Sequence, residues 1–202
     1  LRKSSGEEKE YVMKKSKIVT IVVVVVVLAA VVLGAFYYMS NSKKAEEENT
    51  TPTAVQNILL KDLERSYPPT PKEVLKYYCE ITKCFYNEEY TDEELDELAA
   101  KIQELYDAEL IANKSQEDYL NDLCDEITTM KGNKYTIYSY ELPASTDVEY
   151  FTEDGYSCAR MYCSFNLKQT GSTGMITSLE QFVLRQDENG RWKIMGWDLV
   201  NE

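Results

Sequence analysis

Tyr156-Ser-Cys-Ala-Arg-Met-Tyr-Cys-Ser-Phe-Asn-Leu-Lys168 decides the fold class. Ala159, Met161, Cys163, Phe165 and Leu167 fall on one parity. Cys158, Arg160, Tyr162, Ser164 and Asn166 fall on the other. Strict alternation over this length is the period of a strand with one apolar and one polar face. Upstream, Glu153-Asp154-Gly155 supplies a tight-turn signal, so 147–151 is expected to pair back as a hairpin. Further upstream, 135–142 is aromatic and β-branched and stops at Pro143. Downstream, Gly171-Ser-Thr-Gly174 turns into 175–186, and Asp187-Glu-Asn-Gly190 turns into 191–200. In that last run Trp192 and Ile194 share one parity while Trp197 and Leu199 share the other. Gly196 between them predicts a bulge that re-registers the strand.

Before Gly132 the period is 3.6. Thr51-Pro52 reads as a helix start, with Val55, Ile58, Leu59 and Leu63 on one face. Thr70-Pro-Lys-Glu73 and Thr91-Asp-Glu-Glu94 read as capping boxes. The first opens a helix with Val74, Tyr77, Tyr78, Ile81, Cys84 and Phe85 on one stripe, closed by Asn87. The second opens a helix carrying Leu95, Leu98, Ile102, Leu105 and Tyr106. Ser115 to Asp118 repeats the signal ahead of Tyr119, Leu120, Leu123, Cys124, Ile127 and Met130, with Gly132 as the C-cap. Helices followed by a meander predict an α+β domain with helices packed on a curved antiparallel sheet.

The 202 residues carry a formal charge of −13, distributed unevenly. Arg2, Lys3, Lys9, Lys14, Lys15 and Lys17 face only Glu7, Glu8 and Glu10 in the first 17 residues. Residues 18–42 bear no charge, so the remainder is strongly acidic. The stretch 18–39, with six consecutive valines, reaches roughly 30 Å as a helix, the thickness of a bilayer core. It is expected to be a retained transmembrane helix, since a lone span in lipid must satisfy its own backbone groups. Phe36, Tyr37 and Tyr38 suit an interfacial belt. The lysines at 14, 15 and 17 orient the N-terminus to the cytoplasm and the C-terminal domain to the outside. A cleaved signal peptide is the competing reading. The expected layout is a cytoplasmic tail at 1–17, the span at 18–39, a polar linker at 40–52 and an extracytoplasmic domain at 53–202. Residues 1–12 read either as part of that tail or as a gene-calling overrun ahead of Met13, with Lys9-Glu10 encodable as a purine-rich ribosome-binding sequence.

The chain has no histidine, which removes Ser-His-Asp, Cys-His and His-ligated zinc chemistry. No Cys-x-x-Cys spacing or calcium-loop spacing occurs, so no metal and no cofactor are expected. The acidic balance argues against nucleic acid as a partner. The sequons at Asn49 and Asn113 match a short motif that is frequent by chance. Cys79 and Cys84 lie on different faces of one helix, and Cys158 and Cys163 on opposite sides of one strand. A disulfide, if formed, is expected between elements, as in Cys84 with Cys124, and five free buried thiols are the alternative.

The order of elements and the closing Arg191-Trp-Lys-Ile-Met-Gly-Trp-Asp-Leu199 resemble the nuclear transport factor 2-like superfamily. Tyr67-Pro-Pro-Thr-Pro-Lys-Glu-Val74 with its tyrosine-rich helices resembles a family of uncharacterised, membrane-anchored envelope proteins of Gram-positive anaerobic bacteria. The first resemblance implies a cone-shaped α+β fold, in which enzymes use tyrosine with Asp or Glu at the cone mouth; the second implies an envelope location. Tyr77, Tyr78, Tyr138, Tyr140, Trp192 and Trp197 are the candidate cavity-lining residues, with ordinary core packing as the competing role.

Three function classes follow. One is a non-catalytic envelope domain that binds a small ligand, a wall component or a protein. Another is a homodimeric assembly module. The third is an enzyme built on Tyr and Asp/Glu. The lack of a catalytic spacing puts binding first.

Overall fold

A computed structural model describes residues 51–200. The expected span at 18–39, the tail and most of the linker lie outside these residues. Among the described residues no helix is long and apolar enough to cross a membrane.

Among the described residues, five α-helices precede five strands. They are α1 (Ala54–Leu59), α2 (Pro71–Asn87), α3 (Asp92–Gln103), α4 (Ala108–Ala112) and α5 (Gln116–Gly132). The strands are β1 (Tyr135–Glu141), β2 (Glu149–Glu153), β3 (Tyr156–Gln169), β4 (Met175–Gln186) and β5 (Trp192–Leu199). The domain is α+β, with a curved antiparallel sheet covered by helices on its inner face.

The caps set the helix starts. Thr70 and Thr91 accept from the backbone N–H groups of Glu73 and Glu94, and Ser115 from that of Asp118. Each satisfies one of the free N–H groups of a first turn, and acidic residues there suit the positive end of the dipole. The first helix corrects the expectation at Thr51-Pro52. Its cap is Thr53, which forms a full capping box with Gln56. At the end of α5, Gly132 is still helical, and Lys134 takes the left-handed conformation at φ 58°.

Helix α2 is buried on most of its circumference, including Leu75 and Cys79 outside the expected stripe. The sheet covers one side and α1, α3 and α5 pack around it, leaving Glu73 and Lys76 on an exposed strip. Asn87 at its end acts as a strand surrogate. Its Nδ2 donates to the Ile137 carbonyl at 2.8 Å and its Oδ1 accepts from the Ile137 N–H at 2.9 Å.

The sheet order is β1-β3-β4-β5, with β2 also on β3. The long β3 pairs β2 along its first half and β1 along its second. The β2–β3 turn places Asp154 and Gly155 at φ 49° and 83°, the two positive angles that a tight hairpin requires. Ala159, Met161, Cys163 and Phe165 face the helices, as their parity demands. In β5 the predicted re-registration is present, and the extra residue is Met195: Gly196 faces Val183 while Ile194 faces Leu184. Trp192 and Ile194 therefore share the inner side with Trp197. A second irregularity at Tyr138 in β1 leaves that side chain exposed.

Candidate functional site

The helices do not seal the inner face of the sheet completely. A cavity of about 510 Å³ lies between α2, α3, α4 and α5 above and strands β1, β3, β4 and β5 below. This size suits a small organic molecule.

One wall is aromatic. Trp197 stacks on Phe182 at 5.7 Å between ring centroids and 21° between planes. Tyr78 meets Phe182 edge-on at 5.2 Å and Trp197 at 5.6 Å. Tyr106 lies 5.8 Å from Trp197. The bulge at Met195 makes this wall: without the extra residue, Trp197 would point away from the helices.

Tyr106 is held by the turn between α3 and α4. The Ile194 N–H donates to the Leu105 carbonyl and the Asp107 N–H to the Ile194 carbonyl, both at 2.8 Å. Buried Asp107 caps α4 and receives a two-pronged contact from Arg185, at 3.1 Å from Nε and 2.6 Å from Nη2. Charge-assisted bidentate pairs of this kind fix geometry as well as energy.

Beside these rings the lining is acidic and hydroxyl-rich. Glu126 of α5 and Glu180 of β4 both line the cavity. The Tyr86 hydroxyl donates to Glu126 Oε1. The Ser178 hydroxyl donates to Glu180 Oε1 at 3.5 Å. Burial, then the nearby Glu126 charge, push the Glu180 carboxyl up to about 7, and the Ser178 contact pulls weakly the other way. Burial also raises the phenols, with Tyr119 beside the Tyr106 hydroxyl reaching about 12. These tyrosines are neutral hydrogen-bonding groups at physiological pH. Lys114 is the one cationic side chain in the lining, and it is paired with Asp122. The cavity thus combines an aromatic wall with an excess of carboxylates.

Among the six tyrosines and tryptophans expected to line a cavity, the structure brings Tyr78 and Trp197 into it. The other four sit elsewhere. Tyr77 points to α1, donating to the Ile58 carbonyl at 2.8 Å with Lys61 over its ring. Tyr138 is 64% exposed because of the β1 irregularity. Tyr140 is half-buried near Glu80 and Cys79. Trp192 is buried against Tyr150, beside a shallow depression near β2.

Glu126 and Glu180 were not singled out from the sequence. Glu180 carried a readable signal, an acid on the inner parity of β4 with Phe182 and Leu184. Glu126 lies between Leu123 and Ile127 of the α5 stripe. Among the described residues no group of three or more His, Cys, Asp or Glu side chains is placed to hold a metal ion.

The chain matches a protein family over residues 13–197, described as Domain of unknown function (DUF6715). The chain belongs to this family. No curated protein matches it. The DUF6715 match takes in the cavity lining from Tyr78 to Trp197, with Leu199 beyond it.

Proposed function

We propose that this DUF6715 domain is a non-catalytic binding module whose cavity takes a small organic cation, a protonated or quaternary amine on an apolar body. The observation that carries this reading is that Tyr78, Tyr106 and Trp197 line one cavity together with Glu126 and Glu180. Aromatic faces attract alkylammonium groups by their quadrupole, and the carboxylates add charge complementarity in a partly desolvated site. The domain is read as a cone of the nuclear transport factor 2-like type, with its helices closing over the concave side of the sheet. It is carried on the outer face of a cell envelope by a transmembrane helix at 18–39, with the N-terminus in the cytoplasm. The uncharged run flanked by Lys14, Lys15 and Lys17 supports the anchor and its direction. The membrane is thus one partner and the small cation the other.

The test uses Trp197 as its own reporter. Benzyltrimethylammonium is titrated against the 202-residue chain carrying Trp192→Phe, so that the emission is that of Trp197, with neopentylbenzene as the uncharged isostere. Saturable binding of the cation, about tenfold tighter than the isostere, is expected. Equal or tighter binding of the isostere refutes the charge reading. Protease accessibility of the domain in intact cells checks the orientation.

A second reading has one specific observation behind it. Glu180, poised near neutrality beside cavity tyrosines, has the properties of a general acid–base. An enzyme built on Glu180 and a tyrosine would lose turnover on Glu180→Gln, whereas the binding module loses only cation preference.

A further inference from the structure

We propose that Cys79 of α2 and Cys163 of β3 close a disulfide that ties the helix layer to the sheet. Their sulfurs lie 3.4 Å apart, and both side chains are fully buried. Among the described residues no sulfur contact joins Cys84 to Cys124, the pair that spacing alone suggested, and Cys124 is exposed. Cys84 lies elsewhere on α2, and Cys158 sits on the outer parity of β3 with its thiol on the Tyr156 carbonyl.

The contact is more than two small residues filling space. Each thiol has the other as its polar partner, so bonding leaves no donor behind in the core. The bond requires the sulfurs to close from 3.4 Å to about 2.05 Å. The position also matters to the cavity. Cys79 follows Tyr78 in the chain, and Cys163 stands directly across from Glu180 in the β3–β4 register. The bond would hold the helix bearing Tyr78 at a set distance from the strand bearing Glu180. This inference does not depend on which ligand the cavity takes.

The oxidant is a small-molecule or protein disulfide. One cysteine thiolate attacks it, forming a mixed disulfide and releasing one thiol. The second cysteine thiolate then attacks the mixed disulfide, forming the Cys79–Cys163 bond and releasing the second thiol. The two cysteine protons and two electrons end on the released thiols. Burial and then the Cys163 contact push the Cys79 thiol far up, so the folded domain presents no thiolate there. The bond therefore forms during folding, before the core closes.

The 202-residue chain, reduced in denaturant and refolded in a mixture of reduced and oxidised glutathione, is denatured without reductant and alkylated with iodoacetamide. Intact mass is expected to show three adducts, and peptide mapping a linked pair containing Cys79 and Cys163. Five adducts, or linkage of any other pair, overturns the proposal. A second measurement needs no refolding yield. The melting temperature of the oxidised chain should fall by about 10 °C on reduction, since the bond closes a long loop. The Cys124→Ser variant should show the same fall, and an unchanged melting temperature on reduction overturns the proposal.

Discussion

Replacing Glu180 with glutamine removes one charge from the cavity and leaves its shape nearly unchanged, so it isolates what that charge costs. In the folded domain the Glu180 carboxyl is raised from 4.5 to about 7, first by burial and then by Glu126. The unfolded chain gives up this proton at the ordinary value. Below about pH 4 both states are protonated and the group contributes nothing. As pH rises from about 4.5 to about 7, the unfolded state releases its proton while the folded state keeps it, and stability falls. Above about pH 7.5 the loss is complete. A shift of this size corresponds to about 3 kcal/mol, and partial solvent access at the cavity mouth reduces it to about 2 kcal/mol. Glu180→Gln should therefore be more stable than the parent by about 2 kcal/mol near pH 8, and equal to it near pH 4. Urea unfolding followed by circular dichroism across that range measures the difference curve. Glu126→Gln should shrink it by drawing the Glu180 carboxyl back down. A difference that does not change with pH refutes the reasoning. So does a variant less stable at high pH, which would mean that Glu180 is held by a cation.

Three further outcomes test other parts of the structure. Deleting Met195 in a Trp192→Phe background removes the β5 bulge and turns Trp197 out of the cavity, so the emission should shift to the red and benzyltrimethylammonium binding should be lost. Asp107→Ala leaves Arg185, which is 15% exposed, without its main partner, and should cost about 3 kcal/mol in chemical denaturation, against under 1 for the exposed Glu149→Ala. Thr91→Ala removes the capping box of α3 and should cost about 1 kcal/mol, with Thr91→Ser recovering most of it.

What could be read early is what local physics controls. A hydroxyl three residues ahead of a glutamate has a short-range purpose at Thr91, and the folded chain uses it. Alternation from Tyr156 to Lys168 fixes which side chains meet the core, because successive residues of a strand point oppositely. The β5 irregularity was legible for the same reason: two tryptophans of opposite parity cannot both be inward without an extra residue. Errors arose where two local options were nearly equal. Thr51 and Thr53 both precede the first helix, and Thr53 caps it because Gln56 is placed to answer. The β1 irregularity at Tyr138 carries no glycine to announce it, so spacing places that ring inward where the fold turns it out.

The site was less legible, since it depends on how elements pack. Tyr78 and Tyr77 are adjacent in the chain, yet one enters the cavity and the other meets α1. Sequence spacing separates their directions but does not say which side of α2 the sheet will cover. Glu126 and Glu180 come from elements 54 residues apart, and only the fold makes them neighbours and raises the Glu180 carboxyl.

The sequence alone determined the α+β class, the helix starts, the strand faces and the bulge, along with a charge pattern that marks an uncharged run between a basic stub and an acidic domain. Those features depend on contacts a few residues long. Tertiary structure decided the cavity, the acid pair within it and the meeting of Cys79 with Cys163. These depend on packing distance and burial, which couple residues that have no local relation.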